Sequence, residues 1–511
     1  WTETALDLGY AGHREGRKLF CLDLSLPDSS GQARQSVLYC RESFNEQWRF
    51  LEENVCKKGS VGWIIGPPGT GKTLTTMSFI QSLGIETEWR VMCVRVWRYG
   101  VSVSFLQVID GKQRVCETTR MEAVRSLSKT LEEWTVSNRK HLVALDGFVL
   151  GVQVAEDLYS TCLHWRKGDT KNRRLVVATS TSSRGKTSIE EDKWLQVQEL
   201  KVYSWTLEEY MEAVKYDLLY DSVAKAIGAG STMGEEARES LVESKYQIVG
   251  GSCRYMFECT TEEAIEALRA AMDSVDNYSD LMHFRTGSRA SHFVNRLHGL
   301  YRNGQHDLWT LTSRFVATEL AQQLGESFVK IIQELPDMTE NPIVGGFLFE
   351  MLFFARIARQ GVQGTAKSGQ AFEWERCSVE TFDPKKMYPR EDYTWREEKK
   401  ARICLKPLAW NQGGYDAVIV DWKARSVRFV QVTKRKTHDL DLWYLSDCLE
   451  KLSLKGERWT VKIAFVVAKD KLEAFRVGNI TNEGALSKYG WRRGEEESEL
   501  GVFGIDPKAQ G

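Results

Sequence analysis

Residues 66–73 read Gly-Pro-Pro-Gly-Thr-Gly-Lys-Thr and fill every fixed position of the pattern G-x-x-x-x-G-K-[ST]. A short apolar run at 61–65 precedes them, and residues 74–80 follow in a helical pattern. Strand, glycine-rich turn and helix form the context in which backbone N–H groups and a helix N-terminus bind phosphate. The alternative is a chance Gly/Pro turn before a helix, which the filled positions and both flanks disfavour. The motif predicts that the chain binds a nucleoside triphosphate.

A second part of a nucleotide site is predicted further along the chain, where the apolar run 141–145 ends in Asp146 and Gly147. In P-loop proteins Lys72 would reach the β- and γ-phosphates, the Thr73 hydroxyl would bind Mg²⁺, and a strand-terminal acid would lie opposite. We interpret Asp146 as this Walker B acid; the alternative is a buried strand with an ordinary Asp-Gly turn. Hydrolytic enzymes often carry a water-activating carboxylate at the position of Gly147, so hydrolysis is expected to be slow or to use a base from elsewhere.

Strands alternate with helical patterns over residues 60–205, which predicts a parallel α/β sheet. Residues 206–275 are helical in pattern and place Gly250 and Gly251 shortly before Arg254, as P-loop ATPases do when a lid arginine contacts the nucleotide. The alternative is a helix C-cap with a surface arginine. The hydroxyl run 179–183, at the end of another buried strand, fits a γ-phosphate contact or a plain loop equally well. The predicted nucleotide-binding residues are Gly66, Pro67, Pro68, Gly69, Thr70, Gly71, Lys72, Thr73, Asp146 and Arg254, and the metal ligands among them are Thr73 and Asp146.

Composition limits the classes of partner. The chain has 511 residues and a formal net charge of −1, so contact with nucleic acid must come from a local basic patch. No apolar run approaches the roughly 18 residues of a membrane span, and no membrane partner is expected. The eleven cysteines are dispersed without a C-x-x-C pair, which is typical of reduced thiols in an intracellular protein. The chain begins at Trp1, so it does not report on a targeting signal.

A second candidate site lies in the C-terminal part of the chain. The apolar helix 345–355 holds a single acid, Glu350, whose burial requires a partner or a metal. Two apolar strands around 416–421 and 427–433 predict a hairpin, and the period of two along a strand puts Asp416 and Gln431 on one face. With a lysine from 434–436, two carboxylates would bind Mg²⁺ and a cation would stabilise charge at phosphorus. The alternative is an ordinary hairpin with a basic turn on its solvated side.

The order of these parts resembles the Crinkler and retrotransposon-hot-spot class, found as Crinkler effectors in oomycetes and fungi and as hot-spot proteins in trypanosomatids. The resemblance covers about residues 40–470 and rests on the P-loop, the Gly-Gly-x-x-Arg lid, the acid-bearing helix, the Tyr-Asp strand and the Val-Gln-Val-Thr run. Residues 313–320 are also similar to a segment between the two domains of the hot-spot proteins. In this class a P-loop NTPase is fused to a nuclease domain of the PD-(D/E)xK restriction-endonuclease superfamily.

The resemblance implies an α/β fold class: a P-loop NTPase of AAA/STAND-like type with a helical lid, followed by a restriction-endonuclease-like α/β domain. It implies that Glu350 is the helix acid and Asp416 the metal-binding acid, both of them metal ligands, and that Gln431 occupies the second acidic position. An amide ligates Mg²⁺ more weakly than a carboxylate, so the domain would either cleave nucleic acid or only bind it.

The usual lysine two residues after Gln431 is replaced by Thr433. Lys434 or, by preference, Lys436 would supply the cation from a shifted position, with His438 nearby. The predicted catalytic residues are Glu350, Asp416, Gln431, Lys434, Lys436 and His438.

The domain prediction is an N-terminal segment (1–42), an NTPase core (43–205), a lid (206–275), a helical linker (276–341), a nuclease-like domain (342–470) and a C-terminal tail (471–511). The acidic, glycine-rich end of the tail, 493–511, is expected to be loose. The best linker candidate lies between Pro336 and Pro342. By resemblance, the cofactors are ATP and Mg²⁺, the partners are DNA and nuclear or chromatin proteins, and the location is the nucleus, a host nucleus for secreted Crinklers that act in cell death.

The leading hypothesis is an ATP-regulated, Mg²⁺-dependent nuclease. One alternative is an ATP-switched regulator that binds DNA, chromatin or transcription proteins without cleavage. The other is a pure P-loop switch of the signalling type with no affinity for DNA. A homo-oligomer, in which a neighbouring subunit donates an arginine to the ATP site, is left open.

Overall fold

The computed structural model describes residues 2–5, 18–24, 34–97, 102–135, 137–180, 184, 189–229, 234–275, 278, 281, 294–304, 306–334, 347–382, 402–408, 413–454 and 459–508. The chain divides into two compact units, Trp1–Thr312 (unit 1) and Ser313–Gly511 (unit 2). The predicted linker prolines, Pro336 and Pro342, lie outside the described residues. The unit boundary lies within the predicted helical linker 276–341 and precedes the Pro336–Pro342 candidate.

Unit 1 alternates strands and helices through most of its length. Its strands are β1 Thr2–Ala5, β2 Leu19–Leu24, β3 Arg34–Tyr39, β4 Val61–Gly66, β5 Trp89–Val96, β6 Ser102–Ile109, β7 Lys112–Thr119, β8 Lys140–Phe148, β9 Arg173–Ser180, β10 Val197–Lys201, β11 His298–Asn303 and β12 His306–Leu311. Its helices are α1 Glu42–Phe50, which continues as a π-helix Leu51–Lys57, α2 Lys72–Leu83, α3 Arg120–Thr135, α4 Gln153–Lys167, α5 Ile189–Trp194, α6 Leu207–Val214, α7 Asp217–Ile227, α8 Glu235–Val249, α9 Cys253–Phe257 and α10 Thr261–Asp273, with a 3₁₀ turn Val294–Leu297.

The main sheet of unit 1 has the order β1-β7-β6-β5-β8-β9-β4-β10. Strands β5, β8, β9, β4 and β10 are parallel, as the alternation with helices predicts. Strands β6, β7 and β1 extend one edge with antiparallel pairings. Asp110 and Gly111 join β6 to β7 with φ of 52° and 73°, which is the tight hairpin turn that the Asp-Gly pair predicts.

Apolar side chains cover both faces of this sheet. One core packs the sheet against α1 and α2 through residues such as Trp48, Ile80 and Val91. The other packs the opposite face against α3 and α4 through residues such as Leu127 and Leu158. Helices α6–α10 follow β10 and confirm the helical prediction for 206–275. The predicted helical linker is wrong at 298–311, where β11 and β12 form an antiparallel hairpin.

Unit 2 is a second α/β body. Its strands are β13 Val362–Ala366, β14 Ala371–Trp374, β15 Ser378–Phe382, β16 Arg402–Pro407, β17 Ala417–Asp421, β18 Ser426–Thr433, β19 Thr437–Asp441, β20 Thr460–Ala468, β21 Arg476–Thr481 and β22 Leu500–Ile505. Its helices are α11 Arg314–Leu324, α12 Glu326–Glu334, α13 Leu348–Arg359 and α14 Leu442–Lys451, with 3₁₀ turns Lys469–Lys471, Ser487–Tyr489 and Glu496–Glu499.

The main sheet of unit 2 has the order β14-β13-β22-β20-β18-β17-β16-β15. Strands β16, β17 and β18 are antiparallel neighbours, and β20 lies parallel to β18. Helix α13 packs on one face through Phe349, Phe353 and Ile357. Helix α14 packs on the other face through Leu445 and Leu449. The element order α13, β16, β17, β18, α14, β20 thus builds a mixed sheet covered on both sides.

The C-terminal residues are part of this sheet, so the prediction of a loose tail is wrong. Strand β22 pairs in parallel with β20 and antiparallel with β13, between the two. Ile505 is fully buried there. Short alternating patterns with several glycines gave no strand signal strong enough to predict β22. Within the described residues, no helix has both the length and the apolar character that a membrane span requires.

Candidate functional site

The P-loop connects buried strand β4 to helix α2, as the motif predicts. Gly69 has a φ of +77°, and a Cβ at this position would lie 2.2 Å from Ser252 Oγ. The backbone N–H of Cys253 donates to the carbonyl of Gly69 at 2.8 Å. The turn that carries the predicted lid arginine therefore lies directly against the P-loop.

Lys72 begins α2 and is 8% exposed. Its Nζ donates to the carbonyls of Gly66 at 2.9 Å and Pro67 at 2.7 Å, and to Thr70 Oγ1 at 3.2 Å. Burial lowers the pKa of Lys72 to about 7, with smaller effects from Asp146, which raises it, and from Arg254 and Arg41, which lower it. The ammonium group is held inside the loop where a phosphate oxygen would approach.

The strand that ends in Asp146 lies beside β9, which in turn lies beside the P-loop strand β4. This arrangement brings Asp146 to Thr73, whose Oγ1 donates to Asp146 Oδ1 at 2.8 Å. The other carboxylate oxygen, Oδ2, lies 3.3 Å from Arg95 Nε on β5. A hydroxyl and a carboxylate in contact at the start of α2 are suitable ligands for Mg²⁺. Unit 1 has the P-loop NTPase fold.

The residue after Asp146 is fixed as glycine by the backbone. Gly147 has a φ of +85°, and a Cβ there would lie 2.5 Å from the carbonyl oxygen of Val96. The pairing of β8 with β9 is irregular at this residue. A glutamate at position 147 would be strained and would clash, so this fold does not place a water-activating carboxylate directly after Asp146.

A pocket opens beside the P-loop. Its apolar lining comes from β3, α2 and α7 and includes Val37, Tyr39, Leu74, Leu219 and Val223. Thr70 and Gly71 of the P-loop line its other end. An apolar pocket that ends at a phosphate-binding loop has the shape and chemistry of a nucleoside site.

Arg41 is a component of this site that sequence reasoning missed. It is 5% exposed and donates through Nη2 to the carbonyl of Thr70 at 3.1 Å and through Nη1 to Glu209 Oε2 at 2.8 Å. It also donates to the carbonyls of Tyr203 and Ser204. One guanidinium thus joins the P-loop to the first lid helix. An arginine before an amphipathic helix carries no local signal for contacts so distant along the chain.

Arg254 lies on α9, the helix that follows the turn against the P-loop. Its side chain is 54% exposed and pairs with Glu258 at 3.7 Å. It lies close enough to Lys72 to lower the pKa of that lysine. Among the predicted hydroxyls after β9, Thr179 donates to the carbonyl of Phe148 at 2.5 Å. Residues 181–183 lie outside the described residues.

The second predicted site is built at one end of the sheet of unit 2. Asp416 precedes β17, and its Oδ2 accepts from Gln431 Nε2 at 2.5 Å and from the N–H of Val432 at 2.6 Å. The predicted placement of Asp416 and Gln431 across a hairpin is confirmed. Burial raises the pKa of Asp416 well above its usual range, and the charge of Glu350 raises it further, against the effects of the Val432 N–H and Arg314.

Glu350 lies on α13 with its side chain 13% exposed. It forms an ion pair with Arg314, the first residue of α11. Lys406 on β16 is buried, and burial lowers its pKa to about 8, although Glu319 and Glu350 oppose this effect. Glu319, on α11, accepts from Thr381 Oγ1 at 3.3 Å.

Arg314 and Lys406 are therefore the cations of this cluster, and sequence reasoning missed both. From the sequence, residues 313–320 show only a similarity to a segment of the hot-spot proteins. The structure shows that this segment contributes both Arg314 and Glu319. A charged residue at the start of an ordinary amphipathic helix gives no local signal for this role.

The structure does not bring the predicted cations to Asp416. Lys434 and Lys436 are exposed in the turn after β18, and their carbonyls accept from Lys471 Nζ at 2.7 Å and the Arg476 N–H at 2.9 Å. His438 lies on β19 with its ring 6.1 Å from that of Phe465. Among the described residues, no hydrogen bond or ion pair joins Lys434, Lys436 or His438 to Asp416.

The described residues of unit 2 provide only part of the ligand set of a metal ion. Within the described part of the chain, no group of three or more His, Cys, Asp or Glu side chains is arranged to hold one. Mg²⁺ can be bound by one or two carboxylates together with substrate phosphates, so Asp416 and Glu350 are a minimal set. In the structure Glu350 is already paired with Arg314. This site requires a rearrangement before it binds a cation.

No family model matches the chain, and no curated protein matches it. Among solved structures it is similar to Hsp104 of S. cerevisiae in an ADP complex, with 12% identity and a TM-score of 0.32 over 52% of this chain and 48% of that chain. It is also similar to the FIGL-1 AAA domain in complex with ADP, with 11% identity and a TM-score of 0.25 over 45% of this chain and 70% of that chain. It is also similar to PCH-2 of C. elegans, with 13% identity and a TM-score of 0.27 over 52% of this chain and 71% of that chain.

The match spans about half the length of the Hsp104 chain. At these TM-scores the likenesses carry no argument. The P-loop NTPase fold of unit 1 rests on its own strand order and on the contacts of Lys72, Thr73 and Asp146.

Proposed function

We propose that unit 1 binds ATP with Mg²⁺ and acts as a nucleotide switch with slow hydrolysis. The observation that carries this proposal is the contact between Thr73 Oγ1 and Asp146 Oδ1 beside the buried Lys72 ammonium group. Lys72 would exchange its contacts with the loop carbonyls for phosphate oxygens. The N-terminus of α2 would add its partial positive charge.

The residues fit the whole nucleotide. The apolar pocket lined by Val37, Tyr39 and Leu219 would hold the base, and the P-loop at its end would hold the phosphates. Bound Mg²⁺ would supply positive charge that offsets the charge of the phosphates. Thr73 and Asp146 would hold it, and Arg254 would lie near the phosphates on the lid side. Slow hydrolysis follows from Gly147, which leaves no carboxylate at the usual position of the base.

The Mg²⁺ dependence of ATP binding tests these assignments. Titration calorimetry should show that Mg²⁺ tightens binding to the wild-type chain about tenfold or more, since Thr73 and Asp146 orient the cation. Asp146→Asn should retain binding in EDTA and lose most of the gain from Mg²⁺. Asp110→Asn, which alters a surface ion pair with Arg139, is the matched control and should behave as wild type. An unchanged Mg²⁺ gain in Asp146→Asn would contradict the proposed site.

The lid turn packs against the last residue of unit 1. Gly250 of the lid turn lies against the carbonyl of Thr312, because a Cβ on Gly250 would be 1.6 Å from that oxygen. Thr312 is the last residue of unit 1. The next residues are Ser313, which caps α11, and Arg314, which pairs with Glu350. The lid turn that contacts the P-loop therefore also contacts the C-terminal end of unit 1.

A second candidate function is Mg²⁺-dependent phosphodiester cleavage of DNA by a restriction-endonuclease-like unit 2, acting in the nucleus. The observation that favours it is the convergence of Glu350, Asp416 and Gln431 on the order of elements α13, β16, β17, β18, α14, β20. Bound Mg²⁺ would lower the pKa of a water molecule. Arg314 would leave Glu350 for a phosphate oxygen, which would free the Glu350 carboxylate to act as a ligand beside Asp416.

Plasmid DNA with Mg²⁺ tests this activity. The wild-type chain should nick the plasmid, and Asp416→Ala should reduce the rate at least 100-fold, because a metal-binding carboxylate is lost. Asp421→Ala, at the far end of β17 and paired with Arg402, is the matched control and should retain the rate. Equal nicking by wild type and Asp416→Ala would remove the assigned site.

The rival function for unit 2 is binding of DNA, chromatin or transcription proteins without cleavage. The amide of Gln431 in an acidic position and the Arg314–Glu350 pair favour it, because both weaken cation binding. It predicts an ATP-sensitive gel shift of DNA with no cleavage product, and loss of the ATP effect in Lys72→Ala. A gel shift that is absent under every nucleotide condition would favour a pure P-loop switch.

A further inference from the structure

Arg95 lies at the edge of the proposed phosphate site although no motif includes it. On β5 it is the register partner of Asp146 on the parallel strand β8. Its Nε is 3.3 Å from Asp146 Oδ2, while Oδ1 of the same carboxylate accepts from Thr73. Arg95 and the first turn of α2 thus contact one carboxylate from its two sides.

The guanidinium of Arg95 is only partly used. An arginine commonly binds a carboxylate through two parallel N–H donors, but here the contact to Asp146 is through Nε. Within the described residues, neither terminal nitrogen of Arg95 has a hydrogen-bond partner. The side chain is 23% exposed, so it is not fully enclosed by the protein.

The orientation of Arg95 is fixed from its other side. Its guanidinium carbon lies 4.2 Å from the centroid of the Trp97 ring. Trp97 Nε1 donates to Ser104 Oγ at 2.8 Å, and Ser104 Oγ donates to Glu117 Oε1 at 3.1 Å. A stacked arginine with free terminal donors is preorganised for a phosphate.

We infer that Arg95 binds the γ-phosphate of ATP in cis and distinguishes ATP from ADP. This inference rests on the proposed ATP function and adds the residue that detects the third phosphate. With Thr73 and Asp146 at the cation, the γ-phosphate lies on the Asp146 side of the P-loop, within reach of a side chain anchored on that carboxylate. Lys72 serves both nucleotides, since it also contacts the β-phosphate.

The contact of Arg95 with the γ-phosphate also promotes hydrolysis of ATP. Water attacks the γ-phosphorus, the bond from that phosphorus to the β,γ-bridging oxygen breaks, and ADP and inorganic phosphate leave. Arg95 stabilises the charge on the γ-phosphoryl oxygens during this transfer. Arginines placed in this way contribute factors of about 10³–10⁵ to the rate in other P-loop enzymes. With glycine at position 147, this contact adds to the stabilisation that Lys72 provides.

Calorimetry with ATP and ADP on the full chain, together with a phosphate-release assay, tests the inference. Arg95→Gln and Arg95→Ala should bind ADP within about twofold of wild type, bind ATP at least tenfold more weakly, and release phosphate about 10²–10³-fold more slowly. Arg95→Lys should give values between those of wild type and those of the two uncharged variants. A lysine keeps the positive charge but lacks the planar guanidinium with its paired N–H donors. Arg139→Ala removes a matched arginine–aspartate pair on the surface and should change none of these values.

The outcomes separate the inference from the proposed function. If wild type binds both nucleotides through Lys72 while the Arg95 variants keep the wild-type ratio of ATP to ADP affinity and the wild-type rate, the inference is overturned and the proposed function stands. If wild type binds neither nucleotide, both are overturned. Retained ADP binding in the variants reports that they are folded.

Discussion

The P-loop site of unit 1 and the carboxylate cluster of unit 2 each combine acids, a hydroxyl or amide, and buried cations, but their charged groups are engaged differently. In unit 1 Lys72 contacts only neutral groups of its own loop, and Asp146 keeps a hydroxyl partner that Mg²⁺ can share. In unit 2 Glu350 is neutralised by Arg314, and Asp416 tends to hold its proton. Lys72 is arranged to receive an anion although Asp146 beside it also contacts Arg95, whereas Glu350 must first give up its ion pair with Arg314.

The partners of a charged side chain decide how easily it exchanges them for a ligand. A cation held by backbone carbonyls loses little when a phosphate replaces them, because the carbonyls are weak acceptors compared with a charged oxygen. A carboxylate held by an arginine loses a charged partner when it is freed. We therefore expect the P-loop site to respond to its ligand directly and the second site to respond only when Arg314 is moved.

The largest effect on stability is expected from a substitution at Gly147, near the end of β8. Gly147→Glu should lower the free energy of unfolding by roughly 3 kcal/mol or more, because both the positive φ and the carbonyl of Val96 oppose a side chain. It should not speed hydrolysis. Chemical denaturation measures the loss. Gly151→Ala is the control, since Gly151 shares a φ of +85° with open space around its Cβ, and should cost about 1 kcal/mol.

Removal of the internal ion pair is expected to be the next largest effect. Arg314→Ala should lower the free energy of unfolding by about 2 kcal/mol, because it leaves the largely buried Glu350 without its partner. Mg²⁺ should then raise the melting temperature of the variant more than that of wild type. Lys488→Ala, which breaks an exposed pair with Glu450, should cost under about 0.5 kcal/mol. If Arg314→Ala gains no response to Mg²⁺, the ion pair does not close the site.

A smaller effect is expected when the amide of the second site becomes an acid. Gln431→Glu should tighten Mg²⁺ binding about tenfold and destabilise the chain in EDTA, because it replaces the hydrogen bond to Asp416 with repulsion between acids. Thermal melts with and without Mg²⁺ measure both. Gln363→Glu beside Glu373 is the exposed control and should show neither change. Equal Mg²⁺ affinity in wild type and Gln431→Glu would argue against a cation site here.

The smallest expected effect is proton uptake at the P-loop. The pKa of Lys72 is about 7 in the free chain, and the negative charge of bound phosphate should raise it. At pH 7 about half of the lysines are then protonated before binding, so ATP should bind with uptake of up to about half a proton and bind more weakly as the pH rises above 7. Calorimetry in buffers of different ionisation enthalpy measures the uptake. Proton release on binding would contradict the assignment.

Local patterns made much of the fold predictable. The P-loop, the Walker B strand, the Asp110–Gly111 hairpin and the lid helices each lie within one short segment whose periodicity or turn chemistry is explicit. The hairpin that brings Asp416 to Gln431 is also local. These elements were predictable because the interactions that define them join residues close in the chain.

The long-range contacts of the buried or partly buried cations in the two sites were not predictable in this way. Arg41 donates to a carbonyl 163 residues away, and Arg314 pairs with an acid on a different helix. Arg95 and Lys406 lie on strands that each hold one other charged residue, Arg90 and Arg402, and the apolar pattern does not distinguish the members of each pair. Strand β22 joins the sheet of unit 2 through parallel pairing with β20 and antiparallel pairing with β13, strands far from it in the chain, which local pattern does not encode. Long-range packing decided these placements.

The central claim is that the P-loop site is ready to receive ATP, and titration calorimetry of Mg²⁺·ATP against wild type and Lys72→Ala tests it most directly. Lys140→Ala, a surface lysine paired with Glu88, is the matched control. We predict micromolar binding to wild type and to the control, and affinity at least 100-fold weaker in Lys72→Ala, because the buried ammonium group contacts the phosphates. Equal affinity in wild type and Lys72→Ala, or no binding to wild type, would contradict the account.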